Sequence, residues 1–221
     1  MSSAGNVRSV SCSWHCVYVI SRDGLCNVYN TTTGRCHCLM DDDDGVSSSV
    51  TVTSAESNDV MTLAVTCDRH LLSFSCHGHV ERPLAGVTVQ TVSCGRSHCL
   101  VLSAIGVVFS CGLGSHGQLG HGDLQCVDSL RLVEALEGVR MSTVCAGGWH
   151  SMALSDCGDL YVWGWNDVGQ LGLTRSRDTV CYCALLTDDL MTSIVFAVVN
   201  CVCLSIRLSV TTRIVSIRFT V

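Results

Sequence analysis

A chain of 221 residues with a net charge of −6 is long enough for one large or two small domains with a sizeable core. Its charge balance excludes an autonomous nucleic-acid binder, because neutralising phosphates takes a clustered excess of Lys and Arg. The 17 cysteines are odd in number and irregularly spaced, and residues 1–10 hold no apolar run of signal-peptide length, so reduced thiols packed as small hydrophobes in a nuclear or cytosolic protein are expected.

Residues 11–25 place Trp14 and His15 before an apolar run and close it with Asp23 and Gly24, the order of a strand entering a turn. Residues 41–49 are four aspartates followed by small polar residues; they lack the spaced ligands of a calcium loop and read as a solvated connection. Residues 63–66 and 71–74 are two short strand-like runs with no further motif. Cys67 with His70 and Cys76 with His79 are four metal-capable side chains. Only five residues separate the two pairs and those five read as a strand, so no metal is expected there.

From Cys94 onward the chain repeats itself. Gly95 and His98, Gly106, Gly112, then Gly117, Gln118, Leu119 and Gly120 reappear as Gly147 and His150, Gly158, Gly164, then Gly169, Gln170, Leu171 and Gly172, with a constant offset of 52 residues. Two unrelated loops would not stay in step at every landmark, and a unit of about 50 residues is the size of one propeller blade. Residues 151–154 and 160–163 flank the turn signal Asp156, Cys157, Gly158 and Asp159, which predicts a hairpin. Gly106 and Gly158 fall where such a turn needs φ > 0. Residues 129–138 read as strand or loop.

After Leu173 the repeat stops. Residues 190–206 carry no charge, but Ser193, Asn200 and Ser205 dilute them and β-branched residues dominate, which argues against a membrane span. Residues 204–210 and 217–221 alternate with period two and predict strands.

Each reactive residue type has a structural reading. His98 and His150 occupy equivalent repeat positions, which fits rings that hydrogen-bond between strands rather than catalytic bases. Trp149, Trp163 and Trp165 could form a cage for a methylated lysine. Phe109 and Cys111 stand where Tyr161 and Trp163 recur, so that position asks for apolar bulk. The glycines of 112–120 lack the Lys-Ser/Thr of a phosphate loop and serve tight turns. No catalytic triad or carboxylate pair assembles, so neither a catalytic residue nor a cofactor or metal site is expected.

The order Gly-x-x-His, Gly-x-Val-Phe/Tyr, Trp-Gly and Gly-Gln-Leu-Gly resembles the repeat of the regulator of chromosome condensation family, whose members form seven-bladed β-propellers. The resemblance covers residues 92–173, with an echo over 10–30. It implies a non-enzymatic, chromatin-associated interaction module, in the nucleus and on chromosomes with the cytoplasm as a second location. The implied partner is a JmjC-type histone demethylase or hydroxylase, and the implied roles are histone H3 methylation control, mitosis and chromosome segregation. Ran-type nucleotide exchange, the activity of the family's founding member, is the alternative; neither a basic tail nor a matching wedge loop supports it. A membrane-tethered fragment is a further alternative. Seven such units would need roughly 360 residues, so the expected fold is all-β, a partial propeller of about three to four blades with two clear. The expected divisions are a divergent region 1–91, two repeats 92–173 and an unrelated apolar tail 174–221.

Overall fold

Turns set the strand lengths. Ser21, Thr66, Ser103 and Ser155 each accept, on the backbone carbonyl, the N–H of the residue three places on: Gly24, Arg69, Gly106 and Gly158. All four of these residues lie at φ between 62° and 95°, a region that costs glycine nothing and Arg69 about 1–2 kcal/mol. The apolar runs on either side then pair as antiparallel hairpins. The computed structural model describes residues 7–12, 16–38, 51–58, 60–74, 80–172, 180–186, 205–211 and 214–220.

Four such hairpins each gain flanking strands, giving four four-stranded antiparallel sheets. The first holds β1 (Val7–Cys12), β2 (Cys16–Ser21), β3 (Cys26–Asn30) and β4 (Cys36–Cys38), and the second β5 (Val52–Ser57), β6 (Thr62–Thr66), β7 (Leu71–Phe74) and β8 (Val80–Glu81). The third holds β9 (Val89–Cys94), β10 (His98–Ser103), β11 (Val108–Gly112) and β12 (Val127–Leu132). A single 3-10 turn, Glu134–Leu136, leads from it to the fourth, made of β13 (Met141–Ala146), β14 (His150–Ser155), β15 (Leu160–Trp165) and β16 (Val180–Leu186). Within each sheet the strands lie side by side in chain order, the meander of a propeller blade.

The core lies between the sheets. Tyr18, Ile20 and Val28 pack on Val52, Ala64 and Leu72 at the first seam; Leu63, Val65 and Leu71 pack on Val89, Val101 and Cys111 at the second; Leu100, Leu102 and Val108 pack on Met141, Ala153 and Trp163 at the third. Strand β10 is buried along its whole length because alternate residues feed two seams, Cys99 and Val101 the second, Leu100 and Leu102 the third. That explains a continuous apolar run where a half-exposed strand would alternate.

One backbone bond recurs at every seam. Gly24, Arg69 and Gly106, the left-handed turn residues, present carbonyls to the N–H groups of Val52, Val89 and Met141 at 3.0, 2.8 and 2.9 Å. The second sheet is therefore a full blade equivalent to its neighbours, although its sequence shows only two strand-like runs.

Region 1–91 contains two blades and the start of the third, since β9 begins at Val89. The expected end of the repeat at 173 falls before the fourth blade is complete: β16 pairs with β15 from Leu160↔Leu186 to Trp165↔Val180. Pairing of that strand is made by backbone groups, which leave no side-chain motif to read. Residues 129–138 divide into the end of β12 and the 3-10 turn. In the tail, β17 (Ser205–Thr211) and β18 (Ile214–Thr220) form the period-two strands as a hairpin with a sheet of its own. Trp14, His15, Cys76, His79, residues 41–49 and most of 190–206 lie outside the described residues. No helix among those described is long and apolar enough to cross a membrane.

Candidate functional site

Because consecutive strands run in opposite directions, the turns at 95–97 and 147–149 and the loops after β11 and β15 all emerge at one end of the third and fourth blades. The Gly-x-x-His signature builds those turns. Gly95 donates its N–H to the carbonyl of His98, and Gly147 to that of His150, both at 2.8 Å. Each imidazole lies over its own glycine: a Cβ on Gly95 would come within 2.3 Å of His98 Cε1, and one on Gly147 within 2.3 Å of His150 Cε1. Gly112 and Gly164 are the cross-strand register partners of the two histidines.

Beneath the turns a buried chain of hydrogen bonds joins the two blades. Trp163 donates Nε1–H to the carbonyl of Gln118 at 2.8 Å, and Ser151 donates its hydroxyl to the same oxygen at 2.7 Å. Ser151 Oγ therefore accepts from His98, whose Nε2 lies 2.9 Å away. This fixes His98 as the neutral Nε2–H tautomer. Burial, with His150 nearby, pushes its pKa down to about 3. His98 thus bonds a side chain of the next blade. Gly120 closes the arrangement, since a Cβ there would meet Trp163 Nε1 at 2.9 Å. The Gly-Gln-Leu-Gly turns are held from within: Gln118 Oε1 accepts His116 N–H at 2.8 Å, and Gln170 Oε1 accepts Val168 N–H at 3.1 Å. Leu119 and Leu171 are buried beneath them; Gly117, Gly120, Gly169 and Gly172 take positive φ.

The three tryptophans separate into two roles. Trp163 is fully buried in the third seam, as the packing reading requires. Trp149 and Trp165 are half-buried at the loop end, where both contact the imidazole of His116, with ring centroids 4.8 and 5.5 Å apart. The exposed guanidinium of Arg96 lies 5.5 Å from the centroid of Trp149, close enough for a cation–π contact. Arg96 N–H reaches the carbonyl of Gly148 at 3.3 Å, tying the two turns together. Arg131 and Arg140 lie 3.8–4.0 Å from carboxylates, whereas among the described residues no carboxylate pairs with Arg96. The result is a half-open aromatic and cationic surface built from two blades.

Sequence reasoning missed Arg96 and His116. Their counterparts 52 residues on are Gly148 and Val168, so neither residue type repeats. Among the described residues there is no group of three or more His, Cys, Asp or Glu able to hold a metal.

The family model described as the regulator of chromosome condensation (RCC1) repeat matches residues 106–154, and a second model of the same repeat matches 89–118 and 142–170. Residues 89–170 are therefore similar in sequence to RCC1 repeats. The unit matched at 106–154 takes β11 and β12 from one blade and β13 and β14 from the next, so the RCC1 repeat in sequence straddles the seam where the Gln118, Ser151 and Trp163 bonds form. Similar proteins include RCC1 domain-containing protein 1 of mouse, 56% identical over 97 residues, and of human, 53% identical over 93. These alignments cover 43% and 42% of this chain but 26% and 25% of the relatives, so the matched region spans about a quarter of their length. The fold is similar to that of human WBSCR16, with TM-score 0.71 and 20% identity over 85% of this chain and 55% of that one. It is also similar to Prp20p of Saccharomyces cerevisiae, with TM-score 0.67 and 17% identity over 85% and 52%. Both likenesses establish the fold: an all-β arc of propeller blades.

Proposed function

We propose that this chain is a non-enzymatic interaction module that docks a protein partner on the loop end of its third and fourth blades. The observation that carries the reading is the surface of Arg96, His116, Trp149 and Trp165, side chains from two turns, one loop and the end of β15 gathered at one seam. Aromatic and arginine side chains with one face packed and one open are what interface anchors are made of. His98 and His150, the residues a catalytic reading would choose, are buried in the blade structure.

The resemblance in sequence to the mouse and human RCC1 domain-containing protein 1 supports a partner of the JmjC-type histone-modifying dioxygenase class. It likewise supports a role on chromatin, in histone H3 methylation control, mitosis and chromosome segregation. Nucleotide exchange on a Ran-like GTPase is the alternative, and a GDP-release assay separates the two. Co-precipitation from nuclear extract tests the main reading. The chain should recover a JmjC-type dioxygenase, and a Trp149→Ala, Trp165→Ala variant of unchanged melting temperature should recover much less. Equal recovery by the variant would remove this surface from the account.

A further inference from the structure

Resting on the interaction reading above, we infer that the seam surface of Arg96, His116, Trp149 and Trp165 recognises a short acidic peptide segment, one carboxylate on Arg96 and a neighbouring apolar side chain on the indoles. Two observations specify that chemistry. Arg96 is exposed and lies over an indole with no carboxylate paired to it among the described residues, in a chain whose net charge is −6. Arg131 and Arg140, in the same two blades, each have a carboxylate close by. A guanidinium held over a ring keeps its planar N–H fork free for bidentate bonding to a carboxylate.

The aromatic part supplies the second contact. His116 packs between Trp149 and Trp165 and is oriented by Ser115 Oγ, 2.9 Å from Nδ1, so the platform exists before a ligand arrives. On the loop that follows Trp165, Val168 is 63% exposed and extends the apolar edge. Ordering few groups on binding keeps the entropic cost low.

Charge selects among anionic ligands. One guanidinium neutralises one carboxylate, whereas a phosphate dianion or a nucleic-acid strand calls for several clustered cations. Among the described residues Arg96 is the single arginine in this surface, and an acidic peptide fits it best.

The test is fluorescence anisotropy with the full chain and a labelled peptide alternating Glu with Leu. Parallel arms use the same peptide with Gln for Glu, a phosphoserine version and a single-stranded DNA oligonucleotide. The Glu peptide should bind saturably and more weakly as salt rises. Arg96→Gln should weaken it by about tenfold or more, the loss of one charge-assisted pair. Trp165→Leu should weaken both the Glu and the Gln peptide. Because Arg96 is exposed, the first variant should keep the parent melting temperature.

Equal binding of the Gln peptide, an unchanged Arg96→Gln affinity, or tighter Arg96-dependent binding of the phosphopeptide or oligonucleotide would overturn the inference. Partner recovery that needs Trp149 and Trp165, with no binding of any Glu peptide, defeats the acidic-peptide inference and leaves the interaction reading standing. Peptide binding without partner recovery does the reverse.

Discussion

Replacing Ser151 with alanine removes one oxygen from the bond chain between the third and fourth blades. Gln118 keeps the N–H of Trp163 on its carbonyl, but His98 loses the acceptor of its Nε2–H. Both His98 and Ser151 are fully buried, so water does not replace that acceptor. An orphaned buried donor costs about 1–3 kcal/mol. At ~2–4 °C per kcal/mol for a domain of this size, Ser151→Ala should melt about 2–12 °C below the parent by calorimetry. Ser151→Cys should fall between the two, since a thiol keeps weak hydrogen-bonding capacity, and the third blade carries Cys99 at the equivalent place in its hairpin. Ser115→Ala, on the exposed loop, is the control and should stay within about 0.5 kcal/mol. If Ser151→Ala melts with the control, the chain of bonds from His98 to Gln118 does not couple the blades, and the structural reading of the Gly-x-x-His signature fails.

Gly95→Ala should destabilise by about 1–3 kcal/mol, because the new Cβ would lie 2.3 Å from the Gly147 carbonyl oxygen of the next blade as well as from His98. Gly148→Ala, with nothing within 4 Å of its added Cβ, should be neutral in the same urea titration; equal losses would refute the close approach. Burial raises the pKa of Glu56 to about 7 from an ordinary 4.5. The folded state therefore holds this proton more tightly than the unfolded chain, and stability present below pH 4.5 is lost as pH rises through 7. Glu56→Gln should gain up to about 3 kcal/mol over the parent at pH 8 and nothing at pH 4.5. A pH-independent difference between the two would show that Glu56 is not buried against charge.

The third and fourth blades were legible because their landmarks repeat in step, and each landmark has a steric or hydrogen-bonding reason to repeat. The second blade was not, because nearly every landmark is substituted. Asn58 stands where Gly95 does, donating its N–H to Met61, which takes the place of His98. Phe74 takes the place of Trp163, and Arg69 holds the left-handed turn position filled elsewhere by glycine. What survives is Thr66, whose hydroxyl accepts the N–H of His70 as Ser103 and Ser155 accept those of Val107 and Asp159. A search for Ser or Thr three residues before a turn residue would have found all four blades. The seam surface was half legible. Trp149 and Trp165 were visible as tryptophans, but Arg96 and His116 belong to the third blade alone, and periodicity carries no information about residues that differ between repeats.

Amide hydrogen exchange on the chain with and without the proposed JmjC-type partner tests the central claim, that recognition sits on the loop end of the third and fourth blades. Protection should appear at residues 95–98, 113–118, 147–150 and 165–170. Protection at the opposite end, in the turns 66–69, 103–106 and 155–158, or no protection at either end, would contradict it.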